Sequence, residues 1–306
     1  MDGGSPEGWL APAGPWTVAV LGPGGVGGLL AALLSRAGHR VVCLAGERTA
    51  EELRQRGIRV RSAQFGEFTA PVEADTELRE PVDLCVVAVK QPALDAALGR
   101  VPSALLDGGL VLPLLNGVEH PTALRARFGE RVVPAAIRVE STRQAPGEID
   151  HGSPFTELDV VGAGDAGRAL AELFEAVGVR CRVTEDETAT LWAKLAFLAP
   201  LALLTTRYAV PVGEVRTARR PELAALVAEA AAVSAAVGAP VDPALVLDRY
   251  DAFPAAARSS MQRDAEAGRP LELDAVGGAV LRAAARHGVS VPVTRRLVAE
   301  LRESAR

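Results

Sequence analysis

The chain has 306 residues, of which 33 are basic and 38 acidic, so its formal net charge is −5. At roughly 100 to 200 residues per domain, this length predicts two domains with separate hydrophobic cores. The acidic balance and the lack of a lysine or arginine run disfavour partners such as nucleic acid or an anionic membrane. We therefore expect a globular protein that acts on a small molecule.

The N-terminal segment and the apolar stretches argue against export and against a membrane span. Residues 1–15 are rich in Gly, Pro and Ser and lack the basic and apolar regions of a secretory signal, which predicts a disordered leader on a cytoplasmic protein. The apolar stretch 195–206 is shorter than the about 20 residues that a spanning helix needs. Cys43, Cys85 and Cys181 lie in separate apolar runs, which predicts reduced core thiols and no metal site.

Strand and helix patterns alternate along the first half of the chain. Short apolar runs predict buried strands at 17–21, 41–44, 84–89 and 109–112. Helical patterns follow the first three of these runs, which is typical of a parallel sheet covered by helices. Between 131 and 162, turn signals separate further strands and predict an antiparallel extension. A helix at 166–176 and a strand at 180–183 complete this half.

The remainder of the chain shows only helical patterns. They lie at 187–204, 221–237, 243–250, 272–287 and 293–302. The sequence therefore predicts an N-terminal Rossmann-type, doubly wound dinucleotide-binding domain over 16–185 and an all-helical domain for substrate binding and dimerisation over 186–306. The Ala-rich helix 223–237 has little polar face, which favours either a homodimer contact or burial within the helical domain.

A glycine-rich turn separates the first predicted strand from the first predicted helix. Gly22-Pro23-Gly24-Gly25-Val26-Gly27 fits the pattern G-x-G-x-x-G. The first glycine permits a tight turn, the second lets a pyrophosphate approach the backbone, and the third lets helix and strand pack closely. The helix N-terminus then faces the anion. We expect a dinucleotide to bind at Gly22, Gly24, Gly25, Val26 and Gly27.

The end of the second predicted strand bears on which dinucleotide binds. An acidic residue about 20 residues after the glycines usually selects NAD. Here the segment reads Leu44-Ala45-Gly46-Glu47-Arg48, without an acid at the strand tip. Arg48 would suit a 2′-phosphate, so we predict NADPH in preference to NADH. The alternative is that Glu47 and Arg48 form a solvated helix start.

Two lysines and one asparagine stand out in the composition. Lys90 and Lys194 are the only lysines among the 33 basic residues, and Asn116 is the only asparagine. Such a bias is typical of a G+C-rich genome, in which lysine gives way to arginine where bulk positive charge suffices. Arginine cannot be deprotonated in a protein, whereas lysine can. The two lysines are therefore candidates for chemistry, and chance survival is the alternative.

Several motifs occur in an order that resembles the ketopantoate reductase family. They are the glycine turn, Val89-Lys90, Leu115-Asn116-Gly117, Trp192-Ala193-Lys194-Leu195 and Ser259-Ser260-Met261-(x)2-Asp264-(x)3-Gly268-Arg269-Pro270-Leu271-Glu272-Leu273-Asp274. The resemblance covers nearly the whole chain after the leader, and the last motif is its most specific part. It implies a two-domain, NADPH-dependent reductase of 2-oxo acids that holds its substrate between the domains.

The resemblance also implies roles for individual residues. Lys194 matches the catalytic lysine and Glu272 its glutamate partner. Ser260 matches a ligand of the substrate carboxylate, Asn116 a residue at the cofactor and substrate end of the cleft, and Lys90 a lysine near the cofactor.

Elementary chemistry independently supports a catalytic role for Lys194. Hydride reduction of a ketone leaves an alkoxide, so the site needs a proton donor and a cation, and an ammonium group supplies both. The alternatives are that Lys194 snorkels at a helix edge and that Glu272 is a favourable first-turn acid. The spacing from Ser259 to Gln262 also fits a capping box, and Asn116-Gly117 is an ordinary turn dipeptide.

The sequence departs from the family pattern at three polar positions. Where family members carry asparagines, this chain has Leu198, Ala202 and Ala257. Apolar residues there favour a substrate without the hydroxyl of ketopantoate. Arg138 or Arg143, in a charged strand, could hold a substrate carboxylate, although a solvated strand face is the other interpretation.

We therefore predict an NADPH-dependent reductase of a 2-oxo acid or related carbonyl that is more apolar than ketopantoate. One alternative is 2-dehydropantoate 2-reductase activity itself, as in pantothenate biosynthesis. The other is a non-catalytic, NADP(H)-binding regulatory protein that has kept the dinucleotide fold.

Overall fold

The computed structural model describes residues 9–162 and 164–304. Its strands are β1 (Thr17–Leu21), β2 (Arg40–Leu44), β3 (Ile58–Ser62), β4 (Gly66–Ala70), β5 (Glu73–Asp75), β6 (Leu84–Val87), β7 (Leu110–Pro113), β8 (Ala135–Arg138), β9 (Ser141–Ala145), β10 (Glu148–His151), β11 (Glu157–Val161) and β12 (Arg180–Thr184). Its α-helices are α1 (Gly25–Arg36), α2 (Glu47–Arg56), α3 (Leu94–Leu98), α4 (His120–Phe128), α5 (Asp165–Ala176), α6 (Glu187–Tyr208), α7 (Val212–Thr217), α8 (Arg220–Ala236), α9 (Pro243–Ala252), α10 (Ser260–Glu266), α11 (Ala279–His287) and α12 (Pro292–Ser304). A π-helical turn, Asp274–Gly278, precedes α11.

The chain divides into two compact units. The first runs up to Leu115 and resumes over His120–Glu187, and the second comprises Asn116–Glu119 and Thr188–Arg306. In the part of the chain that the structure describes, every strand lies in the first unit and the second is helical. The predicted fold class, a parallel sheet with helices followed by a helical region, is confirmed.

The parallel sheet has the strand order β5-β2-β1-β6-β7. Its neighbouring strands all run parallel, and β1 pairs with both β2 and β6. Successive residues of β1 serve opposite faces: Val18 and Val20 join the core around α1, whereas Ala19 and Leu21 join the core with α3 and α4. Burial on both faces explains why these strands are continuous apolar runs instead of alternating ones.

Two smaller sheets complete the first unit, and they differ from the prediction in two ways. Their strand orders are β4-β3-β10-β9 and β12-β11-β8. The predicted antiparallel extension is in fact mixed, because β10 runs parallel to β3 and β11 runs parallel to β12. Strands β3 and β4 were not predicted at all. Their exposed positions carry charges such as Arg59 and Arg61, which pair with Glu67 and Asp150, so no apolar run marks them.

The structure describes only part of the predicted leader. Residues 1–8 of the predicted leader lie outside the described residues. Trp9 is buried, and its ring centroid lies 6.2 Å from that of Trp16.

The three cysteines are buried and free, and burial raises the pKa of each thiol to about 12. Within the described ranges, no group of three or more His, Cys, Asp or Glu could hold a metal ion.

Helix α6 is largely buried and is longer than predicted. By length and hydropathy it would suffice to cross a membrane, but 67% of its most apolar window is buried inside the protein. Core helices of globular proteins give the same signal, and here Trp192, Leu195 and Leu203 pack into the helical core. Helices α7 and α10 were not predicted as separate elements.

Candidate active site

The glycine turn between β1 and α1 has no room for side chains at its first and last positions. Gly22 has a φ of +87°, and a Cβ there would lie 2.6 Å from Cγ1 of Val89. A Cβ on Gly27 would lie 2.3 Å from the carbonyl oxygen of Gly22. The Gly24 amide also donates to that oxygen at 2.7 Å. These contacts give Gly22 and Gly27 the structural roles expected of the motif.

The middle of the turn is open. A Cβ on Gly24 would meet no heavy atom closer than 3.9 Å, so the space beside this glycine is open. Gly24 is the N-cap of α1, and no side chain caps this helix. Uncapped amides at a helix N-terminus attract anions. The turn therefore fits the pyrophosphate of a dinucleotide.

Two basic residues lie near this edge of the parallel sheet. Lys90 is exposed and follows Val89, the residue that contacts Gly22. Arg48 is exposed in the first turn of α2, after β2. It forms neither a hydrogen bond nor an ion pair with any residue the structure describes, whereas Arg54 on the same helix pairs with Glu51. Arg48 is therefore available to a ligand.

Lys194 lies on α6 in the helical unit and is half-buried. Leu198, one turn further along the helix, is also half-buried, so the two side chains share one face. Ala202, a further turn along, is buried. The face that carries the ammonium group is thus apolar beyond it.

Asn116 and Glu272 are brought together although 156 residues separate them. Nδ2 of Asn116 donates to Oε2 of Glu272 at 3.1 Å. Glu272 is 5% exposed and directly precedes the helical residues that lead into α11. The hydrogen bond orients the carboxylate.

The two adjacent serines have different surroundings. Ser259 is buried, its Oγ accepts a hydrogen bond from the Gln262 amide at 3.0 Å, and it lies 2.7 Å from Oγ1 of Thr205. It is therefore the N-cap of α10, as the capping-box spacing indicates. Ser260 is the exposed first residue of that helix. Its hydroxyl can reach a ligand without disturbing the cap.

The two arginines of the charged strand also differ. Nη1 of Arg138 donates to the buried Asp159 at 2.7 Å, so Arg138 serves the structure. Arg143 is exposed on β9.

Sequence reasoning missed one residue in each unit that fixes a segment carrying predicted site residues. Ser141 on β9 donates to the Gly25 carbonyl oxygen at 2.7 Å, and Arg282 on α11 pairs with both Glu119 and Asp274. Neither contact has a local signal, because the partners of Ser141 and the Glu119 partner of Arg282 are more than a hundred residues away.

Two family models together match most of the chain. The family models described as "Ketopantoate reductase PanE/ApbA" and "Ketopantoate reductase PanE/ApbA C terminal" match residues 18–175 and 186–305. The chain is 31% identical over 300 residues to the 2-dehydropantoate 2-reductase of Caulobacter vibrioides, covering 94% of this chain and 99% of that protein.

Solved structures show the same fold. The 2-dehydropantoate 2-reductase of Geobacter metallireducens is similar at 28% identity and a TM-score of 0.87, covering 94% of this chain and 99% of that one. A D-mandelate dehydrogenase solved with NADH and anilino(oxo)acetate has a TM-score of 0.87 at 20% identity, covering 94% and 98%. The chain therefore belongs to the ketopantoate reductase family and is an oxidoreductase that uses a nicotinamide cofactor to interconvert CH–OH and C=O groups.

Proposed function

We propose that this oxidoreductase reduces a 2-oxo acid, or a related carbonyl, that is more apolar than ketopantoate, with NADPH as cofactor and Lys194 as general acid. The observation that carries the proposal is the shared face of Lys194 and Leu198 on α6. It places an ammonium group beside an apolar side chain, where the family resemblance expects an asparagine. An apolar pocket offers no hydrogen-bond partner to a substrate hydroxyl.

The residues of the helical unit supply the acid chemistry. A bound NADPH would supply the hydride. The Lys194 ammonium would stabilise negative charge on the carbonyl oxygen and donate its proton there. We assign Glu272 as the partner of Lys194, because a nearby carboxylate favours the charged form of an amine. Asn116 keeps that carboxylate oriented through the 3.1 Å hydrogen bond.

Other residues would bind the ligands. The exposed Ser260 hydroxyl would donate to the substrate carboxylate. The open space at Gly24 would receive the pyrophosphate, with Lys90 nearby. Arg48 would pair with the 2′-phosphate, since no described residue occupies its guanidinium group. An enzyme of this fold has been solved with NADH. The preference for NADPH is therefore expected to depend on Arg48, and Arg48→Ala should reduce it.

The decisive experiment follows NADPH oxidation by absorbance with ketopantoate and with 3-methyl-2-oxobutanoate. We expect activity that prefers the hydroxyl-free acid. Lys194→Ala should lose about 10²- to 10⁴-fold in kcat, as for removal of a general acid. Lys194→Arg is the matched control for charge, because arginine retains the cation but does not give up a proton. Full activity of Lys194→Arg would overturn the general-acid role.

Two other outcomes correspond to the alternative functions. A preference for ketopantoate would indicate 2-dehydropantoate 2-reductase activity, which the relative from Caulobacter vibrioides favours. Tight NADPH binding without turnover of any 2-oxo acid, unchanged by Lys194→Ala, would indicate a regulatory protein.

We also propose a cytoplasmic homodimer. Light scattering on the purified full chain tests the dimer, and detection of the protein in fractionated cells tests its location.

A further inference from the structure

The segment Asn116–Glu119 is part of the helical unit, although the residues on both sides of it belong to the first unit. Three contacts hold it to the region around the π-helical turn. Asn116 donates to Glu272, Gly117 lies against Ala275, and Glu119 pairs with Arg282. The segment is therefore fixed along its length, and not by the Asn116 hydrogen bond alone.

The contact between Gly117 and Ala275 requires a glycine. Gly117 has a φ of +94°, and a Cβ there would lie 2.6 Å from the carbonyl oxygen of Ala275. A residue with a side chain would be strained in this conformation and would push the segment away from the π-helical turn. The close approach thus brings Asn116 within reach of Glu272.

The third contact is a double link through one guanidinium group. Nε and Nη2 of Arg282 donate to the two carboxylate oxygens of Glu119 at 3.0 and 2.6 Å. Nη1 donates to Oδ1 of Asp274 at 2.9 Å, and Nη2 also donates to the Asp274 carbonyl oxygen at 3.1 Å. Arg282 therefore joins the Asn116 segment to the residue two positions after Glu272.

The π-helical turn is packed around this link. A Cβ on Gly278 would lie 2.5 Å from Oδ1 of Asp274 and 3.1 Å from Nη1 of Arg282, so a glycine is needed for the pair to form. Single π-helical turns within helices are rare and frequently occur at functional sites. Here the turn begins two residues after the buried Glu272.

We propose that Arg282 is a positioning residue that fixes Asn116 beside Glu272. The inference rests on the proposed function for the roles of that pair, but its geometry does not. The guanidinium group has enough donors, in a rigid planar fork, to bond Glu119 and Asp274 at once. A lysine at this position has three donors on one nitrogen and cannot reproduce all four hydrogen bonds.

The kinetic test compares Arg282→Ala with Arg286→Ala. Arg286 is a matched control because it is an exposed arginine one turn further along α11, without a hydrogen bond or ion pair to the described chain. We expect Arg282→Ala to lose about tenfold to a hundredfold in kcat/KM for the 2-oxo acid, since small displacements of a reacting group are costly. Arg282→Lys should recover part of this loss, and Arg286→Ala should stay within about twofold of wild type.

Folding should be unaffected by the substitution. Arg282 is exposed, and Arg302 lies 3.6 Å from Asp274, so that carboxylate keeps a cation when Arg282 is removed. The Tm of Arg282→Ala should therefore match that of Arg286→Ala. If Arg282→Ala lost kcat/KM only to the extent that its Tm fell, the positioning role would be overturned.

A second readout needs no turnover. Because Asn116 is the only asparagine, a chain labelled with [¹⁵N₂]asparagine gives one side-chain amide signal in a ¹H–¹⁵N spectrum, a pair of cross-peaks at a single nitrogen frequency. We expect Arg282→Ala to shift or broaden this signal and Arg286→Ala to leave it unchanged. An unchanged signal in Arg282→Ala overturns the proposal.

The two readouts separate this inference from the proposed function. If wild type turns over no 2-oxo acid, the proposed function fails, while the amide signal still decides whether Arg282 fixes Asn116. If wild type is active and Arg282→Ala keeps full kcat/KM despite a shifted signal, the catalytic importance of the positioning is overturned.

Discussion

Ser141 lies so close to Gly25 that a Cβ on the glycine would come within 2.1 Å of the Ser141 carbonyl oxygen. The Ser141 hydroxyl also donates to the Gly25 carbonyl oxygen at 2.7 Å. Strand β9 therefore packs directly on the first turn of α1. Gly24, one residue earlier, faces open space instead. Neighbouring glycines of one motif thus have different surroundings: Gly25 is required by the packing of β9, whereas Gly24 leaves the space that we assign to the ligand.

This difference predicts opposite behaviour for two alanine substitutions. Gly24→Ala should fold with a free energy of unfolding within about 0.5 kcal/mol of wild type, because its φ of −83° suits alanine and its Cβ meets no neighbour. Its Kd for NADPH should rise at least about tenfold, since the methyl group fills the path of the pyrophosphate. Fluorescence titration with NADPH and thermal unfolding measure the two quantities.

Gly25→Ala is the contrasting variant. Its Cβ would clash with backbone, so the fold itself should lose about 1–3 kcal/mol, as in an overpacked core. Normal NADPH affinity in Gly24→Ala, or wild-type stability in Gly25→Ala, would refute the assignment of the two roles.

A second prediction concerns substrate preference at Leu198. Leu198→Asn should shift the ratio of kcat/KM toward ketopantoate and away from 3-methyl-2-oxobutanoate by about 10- to 100-fold, because the amide can pair with the substrate hydroxyl. Leu198 is half-buried, so the polar side chain should be tolerated. Steady-state kinetics with both acids measure the ratio.

The control for this prediction is Leu198→Met, which keeps an apolar side chain of similar volume and should keep the wild-type preference. If Leu198→Asn left the ratio unchanged, Leu198 would not contact the part of the substrate that differs between the two acids.

Local sequence patterns were sufficient to predict the parallel sheet and the glycine turn. Strands buried on both faces leave continuous apolar runs, and the turn needs glycines at fixed spacing. The same G-x-G-x-x-G spacing, however, recurs at Gly162, Gly164 and Gly167, where a Cβ on Gly167 would lie 2.0 Å from the Gly162 carbonyl oxygen. There Asp165 adds a carboxylate to the first turn of α5, which disfavours an anion. The spacing alone therefore indicates close helix–strand packing, and only its context indicates a dinucleotide.

Contacts between residues far apart in the sequence could not be predicted from local patterns. Strand β10 pairs with β3 across nearly ninety residues, as the Arg61–Asp150 ion pair shows. The Asn116–Glu272 hydrogen bond and the Arg282–Glu119 pair span 156 and 163 residues. Through the family resemblance, the motifs could predict Asn116 and Glu272 as site residues, but not that their side chains meet. They gave no indication of Arg282 or Glu119.

A third prediction concerns stability in the helical unit. Glu229 on α8 is buried and accepts hydrogen bonds from the amides of Val293 and Thr294, both at 2.8 Å, and from the Thr294 hydroxyl at 2.7 Å. It therefore caps the N-terminus of α12 from a neighbouring helix. Glu229→Ala leaves these donors buried without an acceptor and should cost about 2–4 kcal/mol in the free energy of unfolding. Urea unfolding measures the change.

The matched control is Glu222→Ala on the same helix. Glu222 also contacts α12, but through an ion pair with the exposed Arg296, which keeps Glu300 as a second partner. Such pairs contribute about 0–1 kcal/mol. Equal losses for the two variants would contradict the capping role of Glu229.

The fourth prediction is a pH dependence of stability that originates at His151. This side chain is 2% exposed, and it lies 2.8 Å from the Ser62 hydroxyl and 3.0 Å from the Ser153 hydroxyl. Burial lowers the pKa of His151 below 6.5, against the weaker effects of the Phe155 carbonyl and Glu140. The folded protein therefore favours the neutral ring, whereas the unfolded chain takes up a proton near the ordinary pKa.

The sign of the effect follows from proton uptake. Below about pH 6.5 the unfolded state binds more protons than the folded state, so stability is complete above this pH and declines as the pH falls toward the lowered pKa. The Tm of wild type should therefore fall between about pH 7.5 and 5.5. His151→Gln should show a smaller fall, and His287→Gln, an exposed residue at the end of α11, should keep the wild-type slope. Burial also lowers the pKa of His39, so a residual slope is expected in His151→Gln. Parallel Tm profiles for wild type and His151→Gln would show that His151 does not contribute to this pH dependence.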